Sequence, residues 1–232
     1  MKHSGKAFNA AIRILWIALL SSVIISVAGR FLSRWNGSAS NVFGMLAAIF
    51  FILVFIFIIF TFYFFRDPEP RVPSEPNLVV SPGHGKVDVI DELDEPVFMG
   101  GRCKRISMFL SVFNVHVQNT PVAGSVKYVR HTPGKFLNAM ATESAAENEN
   151  VLIGFDSAER PGQKIGVRLI AGLIARRIIP WVTEGETVAR GERMSLIQFG
   201  SRVDVYLPLT AEIKVKLGDK VVGGESVLAT LA

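Results

Sequence analysis

Few side chains in this sequence have the types and spacing that catalysis needs. No HExxH, CxxC or carboxylate–histidine cluster predicts a metal site, and no GxGxxG or P-loop predicts a nucleotide site. The single cysteine, Cys103, can form no intrachain disulfide, which agrees with a reducing compartment. What remains is a hydroxyl or thiol nucleophile with a histidine base. The histidines are His3, His84, His116 and His131.

One hydroxyl lies at a junction between two predicted strands. Gly200 and Ser201 separate the strand-like runs MSLIQF and RVDVYL, and a simple hairpin turn is the ordinary interpretation of such a pair. A Gly-Ser pair alone is therefore weak evidence for a catalytic serine. The surrounding sequence has to discriminate between the two interpretations.

Three stretches of sequence, taken together, distinguish a catalytic serine from a simple hairpin turn. FNVH (113–116) stands with TPVAG (120–124), PGKFLNA occupies 133–139, and FGSRVDVYLP (199–208) contains the Gly-Ser pair. In combination they resemble the phosphatidylserine decarboxylase family in its short, membrane-anchored bacterial form. The likeness runs from about residue 70 to the last residue and covers most of the soluble part of the chain.

The resemblance implies an enzyme that makes its own cofactor. In this family the serine hydroxyl attacks the preceding carbonyl, and the resulting ester eliminates to dehydroalanine, which loses ammonia and leaves a pyruvoyl group. Ser201 matches that serine, and Gly200 fits because a residue without a β-carbon tolerates a strained backbone. Cleavage between Gly200 and Ser201 would give chains of residues 1–200 and 201–232 that remain associated.

The reaction implied by the resemblance is the conversion of phosphatidylserine to phosphatidylethanolamine and CO2, so the chain would be a carboxy-lyase. The substrate amine would form a Schiff base with the pyruvoyl group, which accepts the electrons released as CO2 departs. The cofactor is then a covalent pyruvoyl group derived from Ser201, with no metal and no pyridoxal phosphate. An archaetidylserine-type lipid is the alternative substrate.

The histidine motifs of the family are only partly present. His116 matches the family histidine that would take the Ser201 proton during maturation, a task that suits an imidazole near neutral pH. The usual Ser-Pro-x-Asp-Gly appears here as SPGHG (81–85), so the aspartate that orients the histidine is missing. His84 could fill that role through a hydrogen bond, or Asp88, four positions on, could reach in from the same strand face. The sequence assigns no substrate-binding residue.

The elements that must position these residues are mostly strands. Short β-branched and apolar runs punctuated by Gly and Pro follow the first third of the chain, and RVDVYL and EIKVKL alternate like strands with one buried face. One short helix is expected within 134–148, where Ala, Met and Glu replace β-branched residues. The sequence therefore predicts a mainly β domain.

Internal repetition restricts the possible folds of this domain further. A segment that begins at Val182 aligns with one that begins at Val215, and a segment that begins at Ser81 aligns with one that begins at Thr120. Paired units of this kind are typical of the hammerhead halves of lipoyl- or biotinyl-type barrel-sandwich hybrids, with glycines at tight turns that need positive φ. The repeated positions are Gly185, Val188, Gly191 and Glu192 with Gly218, Val221, Gly224 and Glu225, and Pro82, Gly85 and Val87 with Pro121, Gly124 and Val126.

Charge and hydropathy set the first 66 residues apart. They contain no Asp or Glu and six Lys or Arg residues, whereas the remainder carries 19 basic and 20 acidic residues. The run Val42–Phe65 has 24 uncharged residues, or about 36 Å of helix, and Ile14–Gly29 has 16. A signal peptide is the alternative for the first run, but no convincing cleavage site follows it. We predict a membrane anchor at 1–66 with an antiparallel hairpin of helices at about 8–29 and 42–65, a proline-rich linker at 67–77, and the catalytic domain at 78–232.

Flanking positive charge predicts the side of the membrane. Five basic residues lie outside the two apolar runs and two lie between them, which favours a cytoplasmic catalytic domain, and the resemblance implies the bacterial inner membrane. The basic residues of the first 66 positions are thus expected to interact with a membrane surface, and no nucleic-acid partner is predicted. A homo-oligomer is possible, but the sequence does not determine the oligomeric state. The outer residues are Lys2, Lys6, Arg13, Arg66 and Arg71, and the inner ones are Arg30 and Arg34.

A function from another class is compatible with the repeats. Hammerhead units also occur in membrane-tethered carrier or adaptor modules, which present a lipoyl or biotinyl group on a lysine at a hairpin tip. Lys220 lies in the second repeat, but it lacks the flanking Met or Asp-Lys-Ala context of a modified lysine. The carrier hypothesis is therefore kept as the alternative to the enzyme.

Overall fold

A mainly β fold preceded by two helices is seen in the computed structural model, which describes residues 2–33, 40–137, 147–173, 177–198 and 201–232. The predicted fold class is confirmed, because the structure is mainly β and contains a curled sheet. The short helix expected within 134–148 falls mostly on residues outside the described ranges. The helices are α1 (Lys6–Ser33) and α2 (Ser40–Phe64), and the strands are β1 (Leu78–Val80), β2 (Gly85–Glu95), β3 (Gly101–Leu110), β4 (Val117–Asn119), β5 (Gly124–Thr132), β6 (Asn150–Ser157), β7 (Lys164–Ala171), β8 (Arg177–Pro180), β9 (Thr187–Val188), β10 (Arg193–Gln198), β11 (Ser201–Leu207), β12 (Glu212–Ile213), β13 (Lys220–Val221) and β14 (Val227–Thr230).

Both helices have the composition of membrane spans. Neither α1 nor α2 contains an acidic residue or a proline. The segments Lys6–Phe31 and Gly44–Phe64 are long and apolar enough to cross a membrane, and large side chains such as Phe55 are exposed. The rings of Phe8 and Phe62 lie 6.4 Å apart, so the start of α1 lies beside the end of α2. The two helices are therefore antiparallel, as the predicted hairpin requires.

The chain forms two compact units, Gly5–Asp67 on the one hand and Pro68–Ala232 with residues 2–4 on the other. Lys2 contacts the β-rich unit through Nζ, which lies 2.9 Å from the carbonyl oxygen of Thr187. The peptide that enters α1 and the peptide that leaves α2 thus both belong to the β-rich unit. Both outer ends of the helical hairpin consequently connect to the same unit.

Within the described residues, the β-rich unit contains one large sheet and two small ones. The large sheet has eight strands in the order β13-β2-β3-β11-β7-β6-β5-β9, and the small sheets have the orders β1-β14-β12 and β4-β10-β8. Every pairing between these strands is antiparallel. The large sheet curls around a core of buried apolar side chains. β11 is a central strand, and its first residue, Ser201, aligns with Leu110 on β3 and Ala171 on β7.

The paired repeats form equivalent turns. Four of the six repeated glycines have positive φ, between 74° and 93°, so the prediction that they occupy turns of this kind is confirmed for these four. A side chain at any of the four would strain the backbone. The prediction is wrong for Gly85 and Gly124, which begin β2 and β5 without positive φ and where a β-carbon would lie 2.5 Å or less from a backbone carbonyl oxygen. Each repeat then enters a two-residue strand, β9 or β13, that pairs with an edge of the large sheet. The four glycines are Gly185, Gly191, Gly218 and Gly224.

Reciprocal backbone hydrogen bonds join the two halves. The amide of Val80 donates to the carbonyl oxygen of Pro121 at 2.9 Å, and the amide of Asn119 donates to that of Pro82 at 2.8 Å. These two bonds connect equivalent positions of the repeats, which is the relation expected of two hammerhead halves. They also bring the turn that contains Pro82 against β4, the strand that follows His116.

Residues of β11 alternate between two covered faces. Val203 and Val205 belong to the main core, whereas Tyr206 packs in a second cluster with Phe98 and Cys103 on the opposite face. All seven residues of β11 are buried. The strand that carries the predicted nucleophile is therefore enclosed on both faces and along both edges.

Candidate active site

Ser201 is fully buried at the start of β11, on the side of the strand that faces the main core. Its Oγ has no hydrogen-bond partner among the described residues, although buried hydroxyls are nearly always paired. A buried, unpaired hydroxyl calls for an explanation, and a reactive role is one. Gly200, whose carbonyl the predicted cleavage requires, lies outside the described residues.

A short turn after β3 fixes the ring of His116, which is fully buried. Nδ1 of His116 lies 2.9 Å from the carbonyl oxygen of Asn114, and the side-chain oxygen of Asn114 accepts a hydrogen bond from the amide of Ser111 at 2.9 Å. A carbonyl oxygen can only accept, so Nδ1 carries the proton of a neutral ring. Nε2 is then the nitrogen that is able to take a proton.

Strand pairing brings His116 toward the predicted cleavage site. Leu110, the last residue of β3, lies opposite Ser201, and the carbonyl oxygen of His116 accepts a hydrogen bond from the amide of Ile197 on β10 at 3.1 Å. β10 ends at position 198 and β11 begins at position 201. The segment from Leu110 to His116 is thus hydrogen-bonded to both strands that flank the predicted cleavage site. The structure brings His116 and Ser201 into one region of the domain.

A buried polar network supports the backbone of His116. Nε2 of Gln118 donates to the carbonyl oxygen of His116 at 2.6 Å, and Oε1 of Gln118 accepts from the hydroxyl of Ser195 at 2.8 Å. Gln118 and Ser195 are both fully buried, so their side chains are fixed by this network. Sequence reasoning missed them. Two polar residues in runs that otherwise predict buried strands were the available signal.

His84 lies beside the end of β4 that is remote from His116. A β-carbon added to Gly223 would lie 3.1 Å from Nε2 of His84 and 2.9 Å from Oδ1 of Asn119, so these side chains line one space. β4 runs for three residues, or about 10 Å, between His116 and the end where Asn119 lies. The orienting role of His84 stays a prediction. Neither it nor any other described residue belongs to a group of three or more His, Cys, Asp or Glu side chains that could hold a metal ion.

Asp88 binds an arginine. Its carboxylate oxygens accept hydrogen bonds from Nη1 and Nη2 of Arg202 at 3.0 and 2.6 Å. Arg202 is the second residue after the predicted cleavage site and is 1% exposed. The alternative that Asp88 orients a histidine stays a prediction, and in this arrangement both carboxylate oxygens of Asp88 accept hydrogen bonds from Arg202. The sequence offered no signal for this pair, because 114 positions separate its members.

Charged groups continue along the face of β11 that carries Arg202. Burial raises the pKa of Asp204, and the nearby guanidinium of Arg105, 3.9 Å away, acts in the opposite direction. Arg105 also makes a paired contact with Asp91 at 2.9 and 2.6 Å. Burial likewise raises the pKa of Tyr206 and brings that of the Cys103 thiol to about 11. This face is a structural ion-pair network and not a second nucleophile site.

Comparison with known proteins shows the family. The model of the phosphatidylserine decarboxylase family matches residues 57–229. Curated proteins named phosphatidylserine decarboxylase proenzyme are 46% identical over 169 residues in Desulfotalea psychrophila, 45% over 169 residues in Symbiobacterium thermophilum and 45% over 172 residues in Ruegeria pomeroyi. Each alignment covers 73% of this chain and 78% of the relative. The resemblance that the motifs predicted is confirmed, and the chain belongs to the phosphatidylserine decarboxylase family, a family of carboxy-lyases.

Proposed function

We propose that this protein is a self-processing, pyruvoyl-dependent decarboxylase that converts phosphatidylserine to phosphatidylethanolamine and CO2. The observation that carries the proposal is the buried hydroxyl of Ser201 at the start of a central strand, which has no hydrogen-bond partner among the residues that the structure describes. The relatives are named proenzymes, and a proenzyme is a precursor that has to be converted. Ser201 is the residue that we expect to perform the conversion in this chain.

The conversion begins with attack by Oγ of Ser201 on the carbonyl carbon of residue 200. The C–N bond breaks, an ester forms, and the nitrogen of residue 201 becomes an amine. Loss of the α-proton then expels the carboxylate of residue 200 and leaves dehydroalanine at residue 201. Its imine tautomer takes up one water and releases ammonia, which leaves a ketone at the start of the new chain. No oxidant or reductant is needed.

His116 is the base that we assign to the first step. Its Nδ1 hydrogen bond to the carbonyl oxygen of Asn114 leaves Nε2 as the proton acceptor of the neutral ring. A histidine suits this role because it exchanges a proton readily near neutral pH. The fixed turn between Ser111 and Asn114 would keep the ring in one orientation during the attack.

The surroundings of residue 201 fit a ketone made from the chain itself. Its neighbours across the sheet are Leu110 and Ala171, both fully buried, so water is largely excluded. The pyruvoyl group would supply a ketone that condenses with the substrate amine and accepts the electron pair released as CO2 leaves. β3 and β7 would hold residue 201 in register through their backbone hydrogen bonds.

The two products of cleavage are expected to remain one molecule. The fragment 201–232 supplies β11 between β3 and β7, and it also supplies β13 and β14, which pair with β2 and β1. All of those partner strands belong to the fragment 1–200. Dissociation would break four strand pairings and expose the core, so we expect it only in denaturant.

We further propose that α1 and α2 anchor the enzyme in the bacterial inner membrane, with the β-rich unit in the cytoplasm. The two apolar helices and the flanking basic residues support this placement. A two-tailed lipid resides at the membrane surface, and an anchored domain stays close to it.

The carrier hypothesis has little support from the fold. Lys220 lies within β13 and pairs with Lys86 on β2, whereas a modified lysine of a carrier stands at the tip of a hairpin. The family membership also favours the enzyme. An archaetidylserine-type lipid is the remaining alternative for the substrate, and the assay below distinguishes it.

Intact mass under denaturing conditions tests the proposal. We expect two fragments that meet between residues 200 and 201, the smaller without a free α-amine and reactive toward a hydrazide. Ser201→Ala should remain one chain and release no CO2. Membranes should release labelled CO2 from carboxyl-labelled phosphatidylserine, and the ether-linked archaetidyl analogue serves as the competing lipid. An active wild-type protein with an unbroken chain would contradict the proposal.

A further inference from the structure

Arg202 has its charged group buried next to the predicted cleavage site. Its side chain is 1% exposed, and its two terminal nitrogens donate to the two oxygens of Asp88 at 3.0 and 2.6 Å. Two parallel hydrogen bonds between a guanidinium and a carboxylate fix orientation as well as distance. The pair therefore constrains where Arg202 lies, besides neutralising its charge.

Asp88 reaches Arg202 across an intervening strand. The order of strands is β2-β3-β11, so the backbones of β2 and β11 lie about 10 Å apart. Asp88 is the additional residue of a bulge in β2, because Val87 and Val89 pair with consecutive residues of β3. A bulge redirects the side chain that it carries. Here that side chain is the carboxylate that binds Arg202.

Cleavage removes the covalent restraint on this end of β11. Residue 201 becomes a chain terminus, and the ends of strands fray when only backbone hydrogen bonds hold them. A reacting group that is displaced by about 1 Å loses much of its rate. The side chain of Arg202 points to the face opposite that of Ser201, so the pair can restrain the terminus without occupying the space around the reacting atoms.

We propose that Arg202 and Asp88 form a clasp that holds the new amino terminus of the small chain, and with it the reactive group at residue 201, against the large chain. The inference rests on the proposed function. The two residues are positioning residues, since they act through the backbone of β11 and contact neither substrate nor reacting atoms. The clasp joins residue 202 of one fragment to residue 88 of the other.

A second ion pair on the same sheet provides a matched control. Asp91, like Asp88, lies on β2 and accepts two hydrogen bonds from one guanidinium, that of Arg105 on β3, at 2.9 and 2.6 Å. Both members of this pair belong to the fragment 1–200. Asp91→Asn therefore removes the same kind of interaction as Asp88→Asn, whereas the contact of Arg105 with Asp204 of the small chain, at 3.9 Å, stays in place.

The first measurement compares turnover per ketone in purified, full-length protein in detergent micelles, with ketones titrated by a hydrazide. We expect Asp88→Asn to be cleaved like wild type, with kcat per ketone reduced at least about tenfold and KM changed less than about twofold. Asp88→Glu should recover most of the loss, because it restores the carboxylate. Asp91→Asn should stay within about twofold of wild type.

The second measurement is independent of activity. Hydrogen exchange of the peptide 201–207 should be at least about tenfold faster in cleaved Asp88→Asn than in cleaved wild type. In the uncut Ser201→Ala background the same Asp88→Asn substitution should change exchange less than about twofold, because the covalent bond still holds the strand. Should Asp88→Asn fail to be cleaved, Arg202→Lys, which keeps the charge but not the paired hydrogen bonds, provides the same comparison.

The outcomes separate this proposal from the one on which it rests. Wild-type kcat and wild-type exchange in cleaved Asp88→Asn would overturn the clasp alone. An equal loss in Asp91→Asn would also overturn it, since the effect would then belong to the whole face of the sheet. A wild-type chain with neither a break nor a ketone would overturn the proposed function and the clasp with it.

Discussion

At the scale of single residues, the proposed chemistry divides into one event and a repeated reaction. Ser201 is consumed once, when the chain is cleaved, and what it leaves behind serves every later turnover. His116 is fully buried and its ring is fixed by Asn114, so its proposed role as base concerns the first event. Changes at His116 should therefore be judged by the rate of cleavage and not by turnover alone.

We expect His116→Gln to slow cleavage of the newly made chain by at least about a hundredfold, the usual contribution of a positioned base. Glutamine can still donate to the carbonyl oxygen of Asn114 but cannot take the Ser201 proton near neutral pH. The measurement is the fraction of cut chain at successive times after synthesis, resolved on a denaturing gel. His131→Gln is the control, since His131 is half-exposed and pairs with Glu149 at 3.2 Å. Normal cleavage of His116→Gln would remove His116 from the mechanism.

At the scale of elements, the turn before β2 determines how closely the chain can approach the site. A β-carbon on Gly85 would lie 2.5 Å from the carbonyl oxygen of Phe109, whereas one on Gly83 would lie 3.5 Å from the side chain of Leu110. The first distance is a clash with backbone, and the second is an ordinary contact. Phe109 and Leu110 are the residues of β3 that pair with the start of β11. A shift at Gly85 would thus be transmitted to Ser201.

Gly85→Ala should destabilise the domain by about 1–3 kcal/mol, because the carbonyl of Phe109 has to move away from the new methyl group. The displacement of β3 should also delay cleavage. Gly83→Ala, two residues earlier in the turn that precedes β2, should fold and be cleaved like wild type. Thermal unfolding of the two variants in the uncut Ser201→Ala background measures the first effect, and gel analysis in the native background measures the second. Equal behaviour of the two variants would show that the close approach at Gly85 has no consequence.

The same elements show how far sequence predicts this fold. The repeats predicted turns at Gly185 and Gly218, and the apolar runs predicted two helices, because each signal depends only on neighbours along the chain. The pair of Asp88 and Arg202 was not predicted. It depends on β3 lying between β2 and β11 and on a bulge in β2, and neither can be inferred from local sequence. His84 is a similar case, since its surroundings are set by Gly223 from the far end of the chain.

At the scale of the whole molecule, the proposed membrane anchor implies that both outer ends of the helical hairpin lie on one side of the membrane. Residues 2–4 belong to the same unit as Pro68–Ala232, and α1 and α2 are antiparallel. A chain that crosses the membrane twice returns to the side from which it started. Because Lys2 contacts Thr187 of the β-rich unit, the proposal places that unit on the same side as both outer ends.

Thiol labelling from one side of the membrane tests this topology. Ser4→Cys and Thr210→Cys place exposed thiols before α1 and on the β-rich unit, and Ser38→Cys places one between the two apolar runs. We expect an impermeant maleimide to label Ser38→Cys in intact spheroplasts and the other two only in inverted vesicles. The native Cys103 should contribute little background, because it is fully buried and burial raises its pKa to about 11, so that little of it is thiolate near neutral pH. Labelling of Ser4→Cys and Thr210→Cys from opposite sides would contradict a hairpin and require α1 or α2 to lie outside the bilayer.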